Sequence, residues 1–367
     1  MRIINRQEVE RLLSMAVCID VLADAMRAAS GGAVSMPLRL FTPLADDSGS
    51  FGLMPGSTLD PPFFGAKVIS LLPGNPAKGL PMVQGYVSLF DHETGKPVAL
   101  IEGASVTAIR TAAASGLATR ELARTDARTH GIFGTGVQAI THIDAVNCAR
   151  DIRDVVVWGR DADRTRQFAE EQSKRVRVSV RATDDPAEAA RCDIVSTVTA
   201  ATKPILKGDW LQPGCHLNLV GVHTPEAREA DTRAIERSRV YVDLMESAMN
   251  EAGDILVPIG EGAIDRAHIL GEIGQVLAGE VPGRTGDSEI TLYKSLGIVA
   301  QDLFAAAHIY ARALESGAGV EVDLDCGLGY HAPPATGRSQ ARGCQSLAKL
   351  LLNQSDNGVQ AWLKNLI

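Results

Sequence analysis

Several features are missing from this 367-residue chain, and each absence removes a class of protein. Its 6 cysteines, Cys18, Cys148, Cys192, Cys215, Cys326 and Cys344, form no C-x-x-C pair and keep no regular spacing. That argues against a structural zinc site or a disulfide scaffold and for a reduced, cytoplasmic protein with no metal. No run approaches the ~18 consecutive apolar residues of a membrane span. The opening stretch MRIINRQEVERLLSMAVCID places Glu8, Glu10 and Arg11 where a signal peptide needs an unbroken apolar core. Positive charge is in deficit, with a net charge of −8, so neither nucleic acid nor an anionic membrane surface is the expected partner. No internal repeat is found. What remains is an ordinary globular composition, 45% hydrophobic with 35 Gly and 17 Pro, at a length that suggests two domains.

The chain divides by pattern. Residues 1–30 read as helix, with Asn5 and Glu8 as its start signal and Gly31-Gly32 as its end. From about Leu38 to Ile101 the segments PLRLF, SFGLM, FFGAKVISLL, VQGYVSLF and KPVALI alternate with turn clusters, as in an antiparallel sheet. An Ala-rich helix, SVTAIRTAAASGLATREL, follows. Then HGIFG, DVVVWG, VRVSV, CDIVST, CHLNLVG and RVYVDL alternate with helical patterns, predicting an α/β, doubly wound parallel sheet of Rossmann type. A further helix is read over roughly Ile290 to Leu314, apolar enough to dock back on the first domain. The tail from about Cys326 mixes Gly and Pro with basic residues. A dimer-contacting extension and an expression-vector or frameshift origin are both open for it, so it is set apart from the fold.

The strongest local signal is THGIFGTGVQAITHIDAV, which puts Gly134-x-Gly136-x-x-Ala139 after a strand and at the head of a helix. The first glycine permits the tight turn, the second lets backbone approach a pyrophosphate, and Ala139 allows close helix–strand packing. The backbone of Thr135, Gly136, Val137 and Gln138 then faces the phosphates at a helix N-terminus. The next strand ends in Trp158-Gly159-Arg160, with the first acid delayed to Asp161. An arginine in place of the ribose-binding acid suits a 2′-phosphate, which favours NADPH and leaves NADH as the alternative.

Three cations lack carboxylate neighbours in their own segments. Lys67 shares a strand face with Ile69 and Leu71; Arg39 in PLRLF shares one with Phe41. Arg110 has Val106, Thr107, Ala113 and Ala114 three and four residues away, so no acid on its own helix can pair with it. An unpaired cation on an apolar face needs an anion, and three together suggest a pocket for a substrate carboxylate. His223 in LNLVGVHTPE ends a strand on the side where open α/β sheets bind ligands. An ordinary imidazole, with a pKa of about 6.5, would suit proton transfer near neutrality. Lys67 is the competing donor.

Together the segments MPLR, LMPG, GAKVIS, TAIRTAAASGLAT, FGTGVQA, GVHTPEARE and EITLYKSLGIVAQD, in this order, resemble the ornithine cyclodeaminase/μ-crystallin family from residue 1 to about 324. The resemblance implies a Rossmann domain (119–292) and an α+β substrate and dimerisation domain (1–118 plus 293–324) completed by a C-terminal helix. It implies hydride transfer at Cα of amino or imino acids. It makes Arg39, Lys67 and Arg110 the carboxylate-binding trio, with Met54 beside them. It sets Thr111, Val220-Gly221 and Lys294-Ser295 near the cofactor, as is also expected of Thr197-Val198 at a strand tip. Two departures matter. Ornithine cyclodeaminases carry Glu before Leu-Met-Pro, where this chain has Gly52, and Asp two residues before the loop proline, where it has His223. Loss of both carboxylates argues against a diamine and for a ketimine reductase acting on Δ1-pyrroline-2-carboxylate or Δ1-piperideine-2-carboxylate. Ornithine cyclodeaminase, alanine or other amino-acid dehydrogenase, and non-enzymatic binding protein are the alternatives.

Overall fold

The computed structural model of the chain describes residues 1–324, so the tail from about Cys326 lies outside the described residues. Two eight-stranded sheets make up the unit Met1–Val322. The first begins at the N-terminus. Arg2–Ile4 is a strand, not helix, and it pairs in parallel with Pro97–Glu102. Helix follows only at Arg6–Leu12, started by the expected capping box of Asn5 and Glu8, and again at Met15–Ser30, where Ser14 accepts from the Val17 N–H. Three residues are too few for periodicity to betray a strand, which is why the whole stretch reads as helical.

From edge to edge the first sheet runs Val320–Glu321, Arg2–Ile4, Pro97–Glu102, Val83–Asp91, Pro62–Leu71, Ser50–Leu59 and Val34–Ser35, with Leu40–Pro43 also paired to Ser50–Leu59. Arg39 precedes that last strand by one residue, so the expected strand position of Arg39 is corrected. Cross-strand register aligns Phe41 with Gly52 and Gly52 with Ile69, and likewise Met54 with Lys67 and Lys67 with Val87. These residues share the inner face, because opposed side chains project to the same side of a sheet. Helices Gly103–Leu122 and Val299–Ser316 pack against this sheet, and their buried residues join its core through Val106, Leu117, Leu303 and Ile309.

The second sheet is wholly parallel, in the order Ser179–Ala182, Asp154–Trp158, Thr129–Phe133, Ile194–Thr197, His216–Leu219, Ile290–Lys294, Ser238–Val242, Ile269–Glu272. Strand order reverses between Thr129–Phe133 and Ile194–Thr197, the crevice where such sheets bind ligands. One assignment changes. Ile290–Lys294 is a fully buried strand, and the helix starts only at Val299. The run ITLYK is apolar enough to continue either pattern. Gly297, with φ of +80°, breaks the chain between strand and helix.

Candidate active site

The site starts from Lys67. Strand alternation turns its side chain inward toward the helix Val299–Ser316, where Asp302 in the first turn is completely buried. Lys67 Nζ lies 3.2 Å from Asp302 Oδ1 and 3.1 Å from Oδ2. Arg110, from the helix Gly103–Leu122, donates through Nε to the same Oδ1 at 3.0 Å and through Nη1 to Gln301 Oε1 at 2.7 Å. Room for the guanidinium comes from Gly297, where an added Cβ would stand 2.3 Å from Arg110 Nη1. Asp243 fixes that turn by accepting the N–H groups of Leu296 and Gly297 at 2.8 and 2.6 Å.

The expectation of unpartnered cations is therefore corrected. Each has a carboxylate, but from an element distant in sequence: Asp302 for Lys67 and Arg110, and Glu251 for Arg39, whose Nε donates at 2.9 Å. The Arg39–Glu251 pair is neutral as a unit. The inner pair of cations is not when Lys67 is protonated, because the two then share one carboxylate and leave a positive charge in surplus. Burial and the neighbouring Arg110 push the Lys67 ammonium down to about 7, against the pull of Asp302. Met54, opposite Lys67 in register, is buried and lines a small cavity with Arg39, Ser247 and Gly297.

The strand-tip edge of the second sheet carries the expected glycine turn. Gly134 has φ of +124°, and an added Cβ would stand 3.0 Å from the Val198 carbonyl oxygen. Gly136 caps the helix Val137–Ala149 with no side-chain partner, nothing lies within 4 Å of its would-be Cβ, and Val137 is 61% exposed. Ala139 is buried against the strand. An open, uncapped helix N-terminus beyond a left-handed glycine fits the pyrophosphate of a dinucleotide. Trp158 packs on Phe133 at 5.4 Å between ring centroids, and Gly159 leaves space that Thr165 and Thr135 fill. Asp161 is spent as the N-cap of Ala162–Arg175, accepting from Arg164 N–H. Arg160 is exposed, and no ion pair or hydrogen bond occupies it among the described residues. Thr111 is half-buried, one residue beyond Arg110 on its helix.

Sequence reading missed the buried support beneath this edge. Glu229 is fully buried; its Oε2 accepts from Thr197 Oγ1 at 2.8 Å and Gly221 N–H at 2.7 Å. Its Oε1 accepts from the Thr199 N–H and Oγ1. Burial and nearby Asp254 raise its carboxyl above the ordinary range. Asp254 in turn accepts the Glu229 and Ala230 N–H groups and pairs with Lys294 at 2.9 Å. Lys294 also donates to the Val222 carbonyl oxygen at 2.6 Å. Its ammonium is thus spent under the loop, while Ser295 continues the strand edge through its N–H to Leu219. Val198 and Val220 are held the same way, donating to Phe133 and Thr197 carbonyls.

This scaffold carries His223, but not in the state its sequence position suggests. Burial, then Arg39, Lys294 and Lys67, push its imidazole down to about 4, so it is neutral near pH 7. Its ring faces Phe41 at 6.1 Å between centroids, and no hydrogen bond to another described residue holds it.

A Rossmann-type parallel sheet with an open glycine turn at its switch point, together with a buried cluster of two cations on one carboxylate, defines the class of fold. The chain belongs to the ornithine cyclodeaminase/mu-crystallin family, whose model matches residues 2–317. It is 36% identical over 326 residues to a Delta(1)-pyrroline-2-carboxylate reductase of Bacillus cereus, covering 88% of this chain and 100% of that one. An alanine dehydrogenase of Archaeoglobus fulgidus is 32% identical, over 87% of this chain and 97% of its own. Among solved structures, Delta(1)-pyrroline-2-carboxylate reductase of Thermococcus litoralis in complex with NADH and L-proline superposes with a TM-score of 0.85. It shares 39% identity over 88% of this chain and 100% of that chain.

Proposed function

We propose that this chain is an oxidoreductase that reduces a cyclic α-imino acid, Δ1-pyrroline-2-carboxylate or Δ1-piperideine-2-carboxylate, to L-proline or L-pipecolate. The observation that carries the reading is the charge left over where Lys67 and Arg110 share Asp302. A substrate carboxylate neutralises that surplus, and charge-assisted contacts of this kind contribute about 1.5–3 kcal/mol each. Gly52 and His223 offer no carboxylate to a distal amine, which disfavours a diamine. The relatives named above, two of them pyrroline-2-carboxylate reductases, support the same choice.

When bound, the reduced nicotinamide supplies the hydride. Gly134, Thr135, Gly136, Val137 and Gln138 would hold its pyrophosphate, and Gly159 with Arg160 its adenosine ribose. An unpaired Arg160 and a spent Asp161 favour the 2′-phosphate, hence NADPH, although the Thermococcus litoralis relative holds NADH. Lys67, with its pKa near 7, matches the task of giving a proton to the imine nitrogen, and Arg110 and Arg39 orient the carboxylate. A neutral His223 lines the pocket beside them.

Residues 1–118 plus 295–324 would form the substrate and dimerisation part, and 119–294 the nucleotide-binding part, because Ile290–Lys294 is an interior strand of the second sheet rather than being split at 292. Exposed Leu40, Phe51 and Tyr86 on the outer face of the first sheet leave an apolar surface that suits a homodimer. No helix among the described residues is long and apolar enough to cross a membrane. Free Cys18, Cys148, Cys192 and Cys215 fit the reducing cytoplasm.

The deciding experiment measures NADPH and NADH oxidation with both cyclic imino acids, and with pyruvate plus ammonium as the acyclic comparison. Turnover confined to the cyclic imines is the expected result. Faster reaction with pyruvate and ammonium, or ammonia release from ornithine with NAD⁺ at a comparable rate, would replace this reading.

A further inference from the structure

Gly52 is more than a lost carboxylate. A Cβ at this position would stand 2.6 Å from Phe41 Cε1, 3.0 Å from Cδ1, and 3.1 Å from Ile69 Cγ1. The Phe41 ring therefore occupies the space that any side chain at 52 would need. Register places Phe41 directly opposite Gly52 on the inner face, two residues along the strand from Met54, which opposes Lys67. The ring also neighbours His223 on the strand-tip loop, at 6.1 Å between centroids and tilted by 36°. One half-buried aromatic ring thus bridges the two sheets beside the cationic cluster.

We propose that Phe41 is a specificity-determining residue, the wall of the substrate pocket that limits ring size and excludes a distal polar group. The inference rests on the imino-acid reading above and names which side chain sets its selectivity. Three residues act as a size-coupled unit. Glycine at 52 admits the ring, the ring covers the glycine, and His223 backs the ring from the other sheet. An acid introduced at 52 alone would collide with the wall before reaching any substrate.

The test compares kcat/KM for Δ1-piperideine-2-carboxylate with that for Δ1-pyrroline-2-carboxylate in wild type, Phe41→Ala, Phe41→Leu and Phe41→Trp. Discrimination of one methylene by an apolar pocket ranges from about 10- to 200-fold. The ratio of six- to five-membered substrate should therefore rise about tenfold in Phe41→Ala, rise less in Phe41→Leu, and fall in Phe41→Trp. A loss of stability alone would lower both activities and leave their ratio unmoved. If wild type is active and the ratio stays within twofold across all variants that fold, the wall is elsewhere and the proposal fails. If wild type reduces neither ring, the functional reading fails and this proposal with it.

Discussion

Two buried charge clusters both act on His223, and they are built to opposite rules. Around Asp302, two cations, Lys67 and Arg110, share one carboxylate. Around Lys294, one cation stands over Asp254, with the carboxyl of Glu229 beyond, and loop N–H groups of Thr199, Gly221, Glu229 and Ala230 take up the acceptor capacity. The second cluster is consumed by its own fold. The first is left with charge to offer. A buried ionic group is costly unless satisfied, so the cluster that leaves a surplus is the one to associate with a ligand, and the satisfied one with holding loops.

Breaking the first cluster should have the largest effect, and on activity. Lys67→Met removes both a carboxylate contact and the proposed proton donor. General acid catalysis is typically worth 10²–10⁴-fold, and a charge-assisted contact adds about tenfold or more, so kcat/KM should fall by at least about a thousandfold. Lys67→Arg separates the roles: KM should stay within about threefold while kcat drops with the lost donor. The pH profile carries the sign. The ammonium is the acid form, and its pKa lies near 7 in the free protein. The wild-type kcat/KM should therefore decline as pH rises through about 7, and that limb should vanish in Lys67→Arg. A profile unchanged by the substitution would exclude Lys67 as the donor.

The second cluster should respond in stability instead. Lys294→Met strands Asp254 and leaves the Val222 carbonyl without its donor, and removing one partner of a buried ion pair typically costs about 3–5 kcal/mol. Lys67→Met should behave differently, because Asp302 keeps Arg110 and the fold already disfavours the Lys67 ammonium. A lysine whose pKa is depressed in the folded state destabilises the protein below its unfolded value of about 10.5, fully so below about 7, so its removal at neutral pH is neutral or stabilising. Urea unfolding of both variants checks the contrast. Equal destabilisation would mean that the Asp302 cluster is as structural as the other.

How far the sequence reveals this depends on the distance over which each feature is determined. The capping box at Asn5 and Glu8, the Gly134-x-Gly136 turn and most strands are local, and they stand where the pattern puts them. Lys67, Arg110 and Arg39 could be recognised as cations without local partners. Their actual partners could not, since Asp302 and Glu251 come from 192 or more residues away. Phe41 was visible only as a neighbour of Arg39, because its seat on Gly52 is a matter of register. The neutral state of His223 is not legible in its segment, because burial first, and then three cations on three other segments, set it. Glu229 and Asp254 carried the faintest signal, acids in a loop and at a helix start that read as surface charge until the fold buries them.

The smallest effect belongs to the cofactor edge, away from both clusters. Arg160 stands two residues beyond Asp154–Trp158, exposed and without a carboxylate partner among the described residues, while Asp161 turns back to cap the following helix. A 2′-phosphate would give Arg160 its first charged partner, whereas an unphosphorylated ribose would gain little from it. One such contact contributes about 1.5–3 kcal/mol, roughly tenfold to a hundredfold in affinity. Arg160→Ala should raise KM for NADPH by that factor and change KM for NADH by less than threefold, with kcat nearly constant because the contact is remote from the hydride. Raising the salt concentration should weaken the wild-type preference, since the charge pair would be exposed. If wild type instead prefers NADH, the exposed arginine is a solvated surface charge. The choice of dinucleotide is then made by the strand tip and the Trp158-Gly159 backbone.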